Sequence, residues 1–301
     1  MKFGYVAIIG RPNVGKSTLL NHLIGEKLAG VSDKPQTTRH CIRGILTLPE
    51  LKKGKQNKSG GQIVFLDTPG FHKPHDLLGN WMIQEAQKFV EEADLVVWMV
   101  LPGNILPEDQ KILELIKTVK VPVLLAINQI DRFPKPHILP VIEHYHKLFA
   151  FREVIPISAR QGENIELLVE KILENLPEGE PLFPEDQISD QNERFVVREI
   201  IAEKLYHYTG EEIPYSTSVV VEEFKDRNEQ LTDIEATIFV ERDSQKKIVI
   251  GQQGQKIKQI GQAARIDIER FIGKKVFLQL WVKTLDSWKK NENSLRRLGY
   301  E

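Results

Sequence analysis

"GRPNVGKST" occupies residues 10–18 and fits the pattern G-x-x-x-x-G-K-[ST]. It follows the apolar run "YVAIIG" (5–10) and opens a segment with helical spacing at 16–25. A strand, a glycine-bearing loop and a helix in that order are the setting this motif requires. The loop Gly10, Arg11, Pro12, Asn13, Val14, Gly15, Lys16, Ser17, Thr18 wraps a β-phosphate with successive backbone N–H groups. The helix N-terminus adds its positive dipole end. Gly10 and Gly15 let the backbone pass close to phosphate oxygens, Lys16 neutralises the β/γ charge, and the Ser17 hydroxyl ligates Mg²⁺. A chance glycine-rich turn is the competing reading, and the full match in context outweighs it.

Working outward, short apolar runs rich in Val and Ile recur at 62–67, 94–100, 121–128 and 153–159. Each is bounded by turn signals, as buried parallel strands are. Helix-like segments at 75–92, 107–118, 136–149 and 163–175 alternate with them. The alternation predicts an α/β fold with a doubly wound, mostly parallel sheet. "CIRGILTL" (41–48) reads as an edge strand pairing with 62–67 across "PELKKGKQNKSGG", a mobile hairpin tip by composition.

"DTPG" (67–70) ends the strand at 62–67. Asp67 holds Mg²⁺, directly or through water, Thr68 and Pro69 form the turn, and the Gly70 N–H reaches a γ-phosphate. "NQID" (128–131: Asn128, Gln129, Ile130, Asp131) follows another strand. A carboxylate there accepts from both N1–H and the 2-amino group of guanine, a donor pair adenine lacks, so the nucleotide is GTP or GDP rather than ATP. "SAR" opens with Ser158 and Ala159, and the Ala159 N–H is placed to reach the guanine O6.

In this order and spacing, these elements resemble the translation-factor-related GTPases over about residues 3–176. The resemblance makes "PQTTRH" (35–40) the switch segment, with Thr38 the preferred ligand of Mg²⁺ and the γ-phosphate and Thr37 the alternative. It assigns the catalytic set Lys16, Thr38, Asp67 and Gly70, and the metal set Ser17, Thr38 and Asp67. Two positions depart from related enzymes. Gln129 replaces the usual lysine of the base motif; it can pack on the base but brings no charge, which lowers the expected nucleotide affinity. Phe71 stands where Ras-like enzymes carry the water-positioning glutamine, so slow intrinsic hydrolysis is expected. Asn13 matches the asparagine that related enzymes use to hold K⁺; a turn-stabilising role is the alternative.

The pattern changes at "LPEGEPLFPEDQISD" (176–190), where prolines and acids end the α/β unit. The expected division is 1–177 for GTP binding, 178–192 as an acidic linker, and 193–301 as a small α+β domain. That last part reads as helix (193–209), two strands (216–225, 231–242), a Gly-x-x-Gly loop, a helix (254–271), a strand (276–283) and a basic tail. A bare Gly-x-x-Gly is weak evidence. Its element order resembles a type II KH domain, in which the loop clamps the backbone of a short RNA strand.

The resemblance places Gly251, Gln252, Gln253, Gly254 and Ile248 at RNA, flanked by Lys246, Lys247, Lys256 and Lys258. Gln252 and Gln253 carry no charge, so backbone N–H groups and the flanking lysines supply the grip. Trp281 and Trp288 can stack bases; for Trp281, alternating within a strand, core packing is the competing reading. "PQTTR", "FPED" (183–186), "LQLWVKTLDSW" (278–288) and "LRRLGY" (295–300) together resemble the Era family over essentially the whole chain. That resemblance implies binding to the 3′ end of small-subunit ribosomal RNA, a role in 30S subunit maturation, peripheral membrane association and a monomeric state.

Charge fits this organisation. Residues 1–176 carry 22 Lys/Arg and 19 Asp/Glu, residues 177–243 carry 6 and 18, and residues 244–301 carry 13 and 5. A near-neutral total therefore hides a basic C-terminal segment suited to a polyanion. Cys41 is the single cysteine, which excludes an internal disulfide and fits a reducing compartment. No apolar run nears the ~20 residues of a spanning helix, and "MKFGYVAIIG" reads as a first strand, so a cytoplasmic protein is expected. A trafficking GTPase with a protein-binding second domain competes, and the basic C-terminus counts against it. A P-loop ATPase or small-molecule kinase is opposed by Asp131 and "SAR".

Overall fold

The computed structural model describes residues 1–301 except 33, 35, 36, 54, 55, 59, 211 and 301. Pro35 and Gln36 of the expected switch segment thus lie outside the described residues, as do Gly54, Lys55 and Ser59 of the expected hairpin tip. The chain forms two compact units: Met1–Leu28 with Thr38–Lys73 and Met82–Asp190, and Ala29–Thr37 with Pro74–Trp81 and Gln191–Glu301.

In the first unit the elements run β1 (Lys2–Gly10), α1 (Lys16–Ile24), β2 (Ile42–Leu48), β3 (Leu51–Lys53), β4 (Gln56–Lys58), β5 (Gly61–Asp67), α2 (Leu77–Glu92), β6 (Leu95–Val100), α3 (Pro107–Ile116), β7 (Val123–Ile127), α4 (Ile138–Leu148), β8 (Glu153–Pro156) and α5 (Ile165–Asn175). The first five residues of α2 and the three before it, Pro74–Trp81, group with the second unit. Six strands form one sheet in the order β2-β5-β1-β6-β7-β8. Only β2 is antiparallel to its neighbour; β5, β1, β6, β7 and β8 pair in parallel. All of β5 and β6 is buried, because helices cover both faces of a parallel sheet. The hairpin beyond β2 carries the short antiparallel pair β3–β4.

The parallel register sets the site. Ile8 of β1 lies opposite Asp67 of β5, which brings "DTPG" beside the loop that follows β1. The ends of β7 and β8 converge in the same way, Ile127 opposite Pro156. Functional residues of such sheets gather at the carboxyl ends of the strands. The acidic stretch expected to link the two halves runs along the sheet edge. Ile45 N–H donates to Ile188 O at 2.8 Å, Gln62 Nε2 donates to Phe183 O at 2.8 Å, and Arg43 meets Asp190 at 2.8 Å. The contacts of Ile45 and Arg43 cover part of the open edge of β2.

The second unit contains α6 (Glu193–Tyr208), α7 (Ile213–Ser216), β9 (Thr217–Asn228), β10 (Leu231–Val240), α8 (Asp243–Ile250), α9 (Gln255–Ile272), β11 (Lys275–Thr284) and α10 (Glu292–Arg297). Its sheet order is β11-β10-β9, with β9 antiparallel and β11 parallel to β10. The short apolar run Ile248–Ile250, which by itself fits a strand or a helix end, is the end of helix α8. In α9, Ile260, Ala264 and Ile268 are buried at four-residue spacing, one face of the helix on the sheet.

Candidate functional site

Three segments far apart in sequence meet at Ser17. Its Oγ donates to Asp67 Oδ2 at 2.7 Å and lies 2.7 Å from Thr38 Oγ1. The neighbouring Thr37 is turned elsewhere: its Oγ1 donates to Lys34 O at 2.7 Å and contacts Ser32 Oγ. Of the two threonines left open by the sequence, Thr38 is the one that reaches this cluster. Three hard oxygens converging at a phosphate loop fit Mg²⁺, which takes one or two protein oxygens and completes its shell with phosphate and water.

Lys16 is buried and curled back on the loop, donating to Gly10 O at 3.2 Å and Arg11 O at 3.0 Å. Burial pushes its ammonium down to about 8, against the opposing pull of Asp67. A phosphate would exchange these weak carbonyl acceptors for anionic oxygens. Gly70 sits hard against the loop; a Cβ there would lie 2.7 Å from Pro12 N, so only glycine permits the approach. Thr68 Oγ1 donates to Ile8 O at 2.8 Å and Phe71 N–H to Gly10 O at 3.1 Å, fixing the turn. The Phe71 ring is buried in the central core cluster, so position 71 offers no side chain to the γ-phosphate. Asn13 is left-handed (φ 63°), which is consistent with its turn-forming alternative.

The base corner is knit around Asn128. Its Nδ2 donates to Val14 O at 2.7 Å, and its Oδ1 accepts from Ala159 N at 2.9 Å. The Ala159 N–H must therefore be shared to read a guanine O6. Ser158 Oγ donates to Asp131 Oδ1 at 2.7 Å, which orients the carboxylate. Gln129 is left-handed (φ 64°), and its Nε2 lies 3.5 Å from Asn13 O, so the amide spans toward the loop as the missing lysine would. Ile130 opens a one-turn helix that carries Asp131.

Sequence reasoning missed two contacts here. Arg11 of the phosphate loop is paired at 2.9 Å with the fully buried Asp109 of α3. Asp109 also accepts the Leu106 N–H at 3.0 Å, and burial raises its carboxyl. No local pattern ties residue 11 to residue 109. His72 Nδ1 lies 2.9 Å from Gly70 O, bracing the same turn.

In the second unit, Gly251 caps α8 and Gly254 caps α9. Gly254 has φ 76° and nothing within 4 Å of where a Cβ would stand, so the backbone is open to a ligand. The first turn of α9 presents N–H groups that the helix itself leaves unpaired. Gln252, Gln253, Lys247, Lys258 and Ile248 are exposed; Lys246 and Lys256 are half-buried. None of these four lysines meets a carboxylate among the described residues.

The two tryptophans separate. Trp281 is 54% exposed, whereas Trp288 is buried and donates Nε1–H to Ser216 O at 3.2 Å. Trp288 is therefore a core residue and does not stack bases, because the C-terminal turn folds it under α7.

The segments adjoining the switch residues belong to this second unit. Val31 N–H donates to Glu203 Oε2 of α6 at 2.9 Å. Trp81 meets Tyr300 edge-on at 5.3 Å, and Lys289 lies 3.7 Å from Asp76.

A phosphate loop with guanine-reading loops, joined to a Gly-x-x-Gly domain, defines a GTP-binding protein with a KH module. Residues 5–129 match a family model described as a 50S ribosome-binding GTPase, and residues 212–289 match a KH domain. GTPase Era of Staphylococcus haemolyticus is 46% identical over 99% of this chain and 97% of its own, and that of a Thermoanaerobacter species 46% over 99% and 96%. A variant of Aquifex aeolicus Era bound to GDP·AlF4⁻ superimposes with a TM-score of 0.93 at 42% identity, covering 100% of this chain and 99% of that one. Era in complex with MgGDPNP and nucleotides 1506–1542 of 16S ribosomal RNA gives 0.92 at 42% identity, with the same coverage. The chain belongs to the Era family of GTPases. Among the described residues no helix is long and apolar enough to cross a membrane.

Proposed function

We propose that this protein is a GTP-hydrolysing switch that binds single-stranded RNA at the 3′ end of small-subunit ribosomal RNA and assists 30S subunit maturation. One observation carries the reading. Thr38 and Asp67 each lie 2.7 Å from the Ser17 hydroxyl, and the segments 29–37 and 74–81, which adjoin the phosphate-sensing residues, group with the unit that holds the Gly-x-x-Gly loop.

Lys16, the loop N–H groups and the Gly70 N–H bind and orient the phosphates; Asp131 and Asn128 select guanine. Mg²⁺, when bound, neutralises charge on the β- and γ-phosphate oxygens. With Phe71 in the core, the attacking water must be oriented otherwise, by backbone, a cation or a partner. K⁺ near Asn13 is our candidate, and unchanged turnover of Asn13→Ala in both K⁺ and Na⁺ would exclude it. The working division is 1–177 for nucleotide, 178–192 as connecting strap and 193–301 for RNA, in a monomer. Association with the small subunit and peripheral contact with the inner face of the cell membrane extend the reading from the family. The test is GTP turnover and RNA filter binding on one preparation across a salt series. Single-strand binding should lose about 0.7 in log–log slope per phosphate contact removed; binding that is absent or indifferent to salt would sink the RNA assignment.

A further inference from the structure

Phe277 and Trp281 stand 49% and 54% exposed on the same face of β11. Residues alternate across a strand, so they share that face with Lys275, Gln279 and Lys283. The opposite face turns to the helices: Gly261 of α9 lies against Leu280, within 3.5 Å of where its Cβ would be. β11 is the edge of its sheet. Lys283 has no ion pair among the described residues, and Lys275, 78% exposed, lies 3.6 Å from Glu269 in a loose pair that a phosphate could displace. Arg227 stacks over the Phe277 ring at 5.8 Å, anchored to Asp233 at 2.7 Å. Two large aromatic rings left open on an otherwise well-packed unit mark a binding surface.

We propose that this outer face of β11 is a second RNA surface, which stacks unpaired bases of the strand whose backbone the Gly251–Gly254 loop holds. It rests on the RNA-binding reading above. Four residues along a strand separate the rings by about 13 Å, room for one base on each. Open sheets with exposed aromatics read RNA in this way. Lys275 and Lys283 lie outside the rings along the strand, where a phosphate backbone would run. The neighbouring strand places Glu235 beside Gln279, with Glu223 beyond it. Carboxylates repel phosphate but accept hydrogen bonds from the exocyclic amino groups of unpaired bases. The same acids, set on a flat face, would oppose an anionic lipid surface, which presents its phosphates as a continuous layer.

The test uses the full chain and the RNA of nucleotides 1506–1542 of 16S ribosomal RNA. Replacing both rings (Phe277→Ala with Trp281→Ala) should weaken binding about tenfold or more, since each stacked base contributes appreciably. Phe277→Tyr with Trp281→Phe should restore most of it. Tryptophan emission should be quenched by saturating RNA in the wild type and not in Trp281→Phe. Both rings are exposed, so the variants should keep GTP turnover. If the alanine pair binds as tightly as wild type and Trp281 is unquenched, while Gln252→Asp with Gln253→Asp loses binding, the RNA reading stands and this proposal fails. Wild type that binds no RNA ends both. Quenching by phosphatidylglycerol vesicles without quenching by RNA would make the face a lipid contact and overturn the proposal.

Discussion

Replacing Lys16 with methionine should stabilise the nucleotide-free protein while destroying its affinity for GTP. Burial holds the Lys16 ammonium at about 8, where an exposed lysine has 10.5. The difference, 10.5 − 8, is about 2.5 pH units, or about 3 kcal/mol at 1.36 kcal/mol per unit. Without phosphate the ammonium has the carbonyls of Gly10 and Arg11, at 3.2 and 3.0 Å, and the charge of Asp67, which together offset only part of that penalty. Methionine keeps the packing and removes the charge. The lost hydrogen bonds reduce the gain, so the absolute change is a poor test and its pH dependence a good one.

A group whose folded pKa is depressed leaves the unfolded chain holding more protons between the two values, here about 8 and 10.5. Wild-type stability therefore rises with pH in that window. The variant lacks this rise. Its advantage at pH 7 should shrink by about 2 kcal/mol at pH 9.5, while titrations common to both proteins cancel. Urea unfolding followed by fluorescence, to which Trp98 in the core of the first unit contributes, reads the difference. Saturating GDP should flatten the wild-type curve, because a phosphate favours the ammonium. A gap that is constant with pH, or that widens toward pH 9.5, would refute the buried-charge argument.

Asp131→Asn turns one acceptor of the guanine donor pair into a donor, so preference should move from guanine to xanthine nucleotides by about a hundredfold, measured by competition binding. Gln252→Asp with Gln253→Asp puts two charges where the loop backbone meets RNA; filter binding should be abolished while GTP turnover persists. Trp81→Ala removes the edge contact with Tyr300 at 5.3 Å. It should leave separate GTP and RNA affinities within a few-fold but shrink the effect of one on the other, and a coupling equal to wild type would show that the contact is passive.

How much of this was legible in the sequence depended on how local each cause is. The loop at 10–18 is a short-range device, and its motif, flanking strand and helix all lie within a few turns of chain. The mostly parallel make-up of the sheet was equally readable, because buried parallel strands announce themselves as unbroken Val/Ile runs; the order of its strands was not. Ile248–Ile250 was not, since three apolar residues cannot distinguish a helix end from a strand. Of the two tryptophans, Trp288 was misread and Trp281 was left between two readings, for a related reason. β11 is apolar on both faces, Val276, Leu278, Leu280 and Val282 on one and Phe277 and Trp281 on the other, so alternation alone cannot say which face is covered. Trp288 looks exposed beside two lysines until the C-terminal turn folds it against Ser216. The Arg11–Asp109 pair and the grouping of 29–37 with residues after 190 are long-range facts with no local mark.

That grouping bounds what the switch can do. Thr38 and Gly70 sit in the nucleotide unit, yet the chain just before the first and shortly after the second is held by the second unit. The holding contacts are modest. An N–H donated to a carboxylate, as from Val31 to Glu203, contributes about 1.5–3 kcal/mol. An aromatic edge contact, as between Trp81 and Tyr300, contributes about 0.5–1.5 kcal/mol. Together they reach about 2–4 kcal/mol, comparable to an ordinary coupling energy. Swinging an equilibrium from 1:99 to 99:1 takes about 5.5 kcal/mol. Contacts of this size bias the second unit without latching it, so nucleotide state should tune RNA affinity by about thirtyfold to several hundredfold rather than gate it. Reciprocity then requires RNA to shift nucleotide affinity by the same factor, even where hydrolysis itself changes by another.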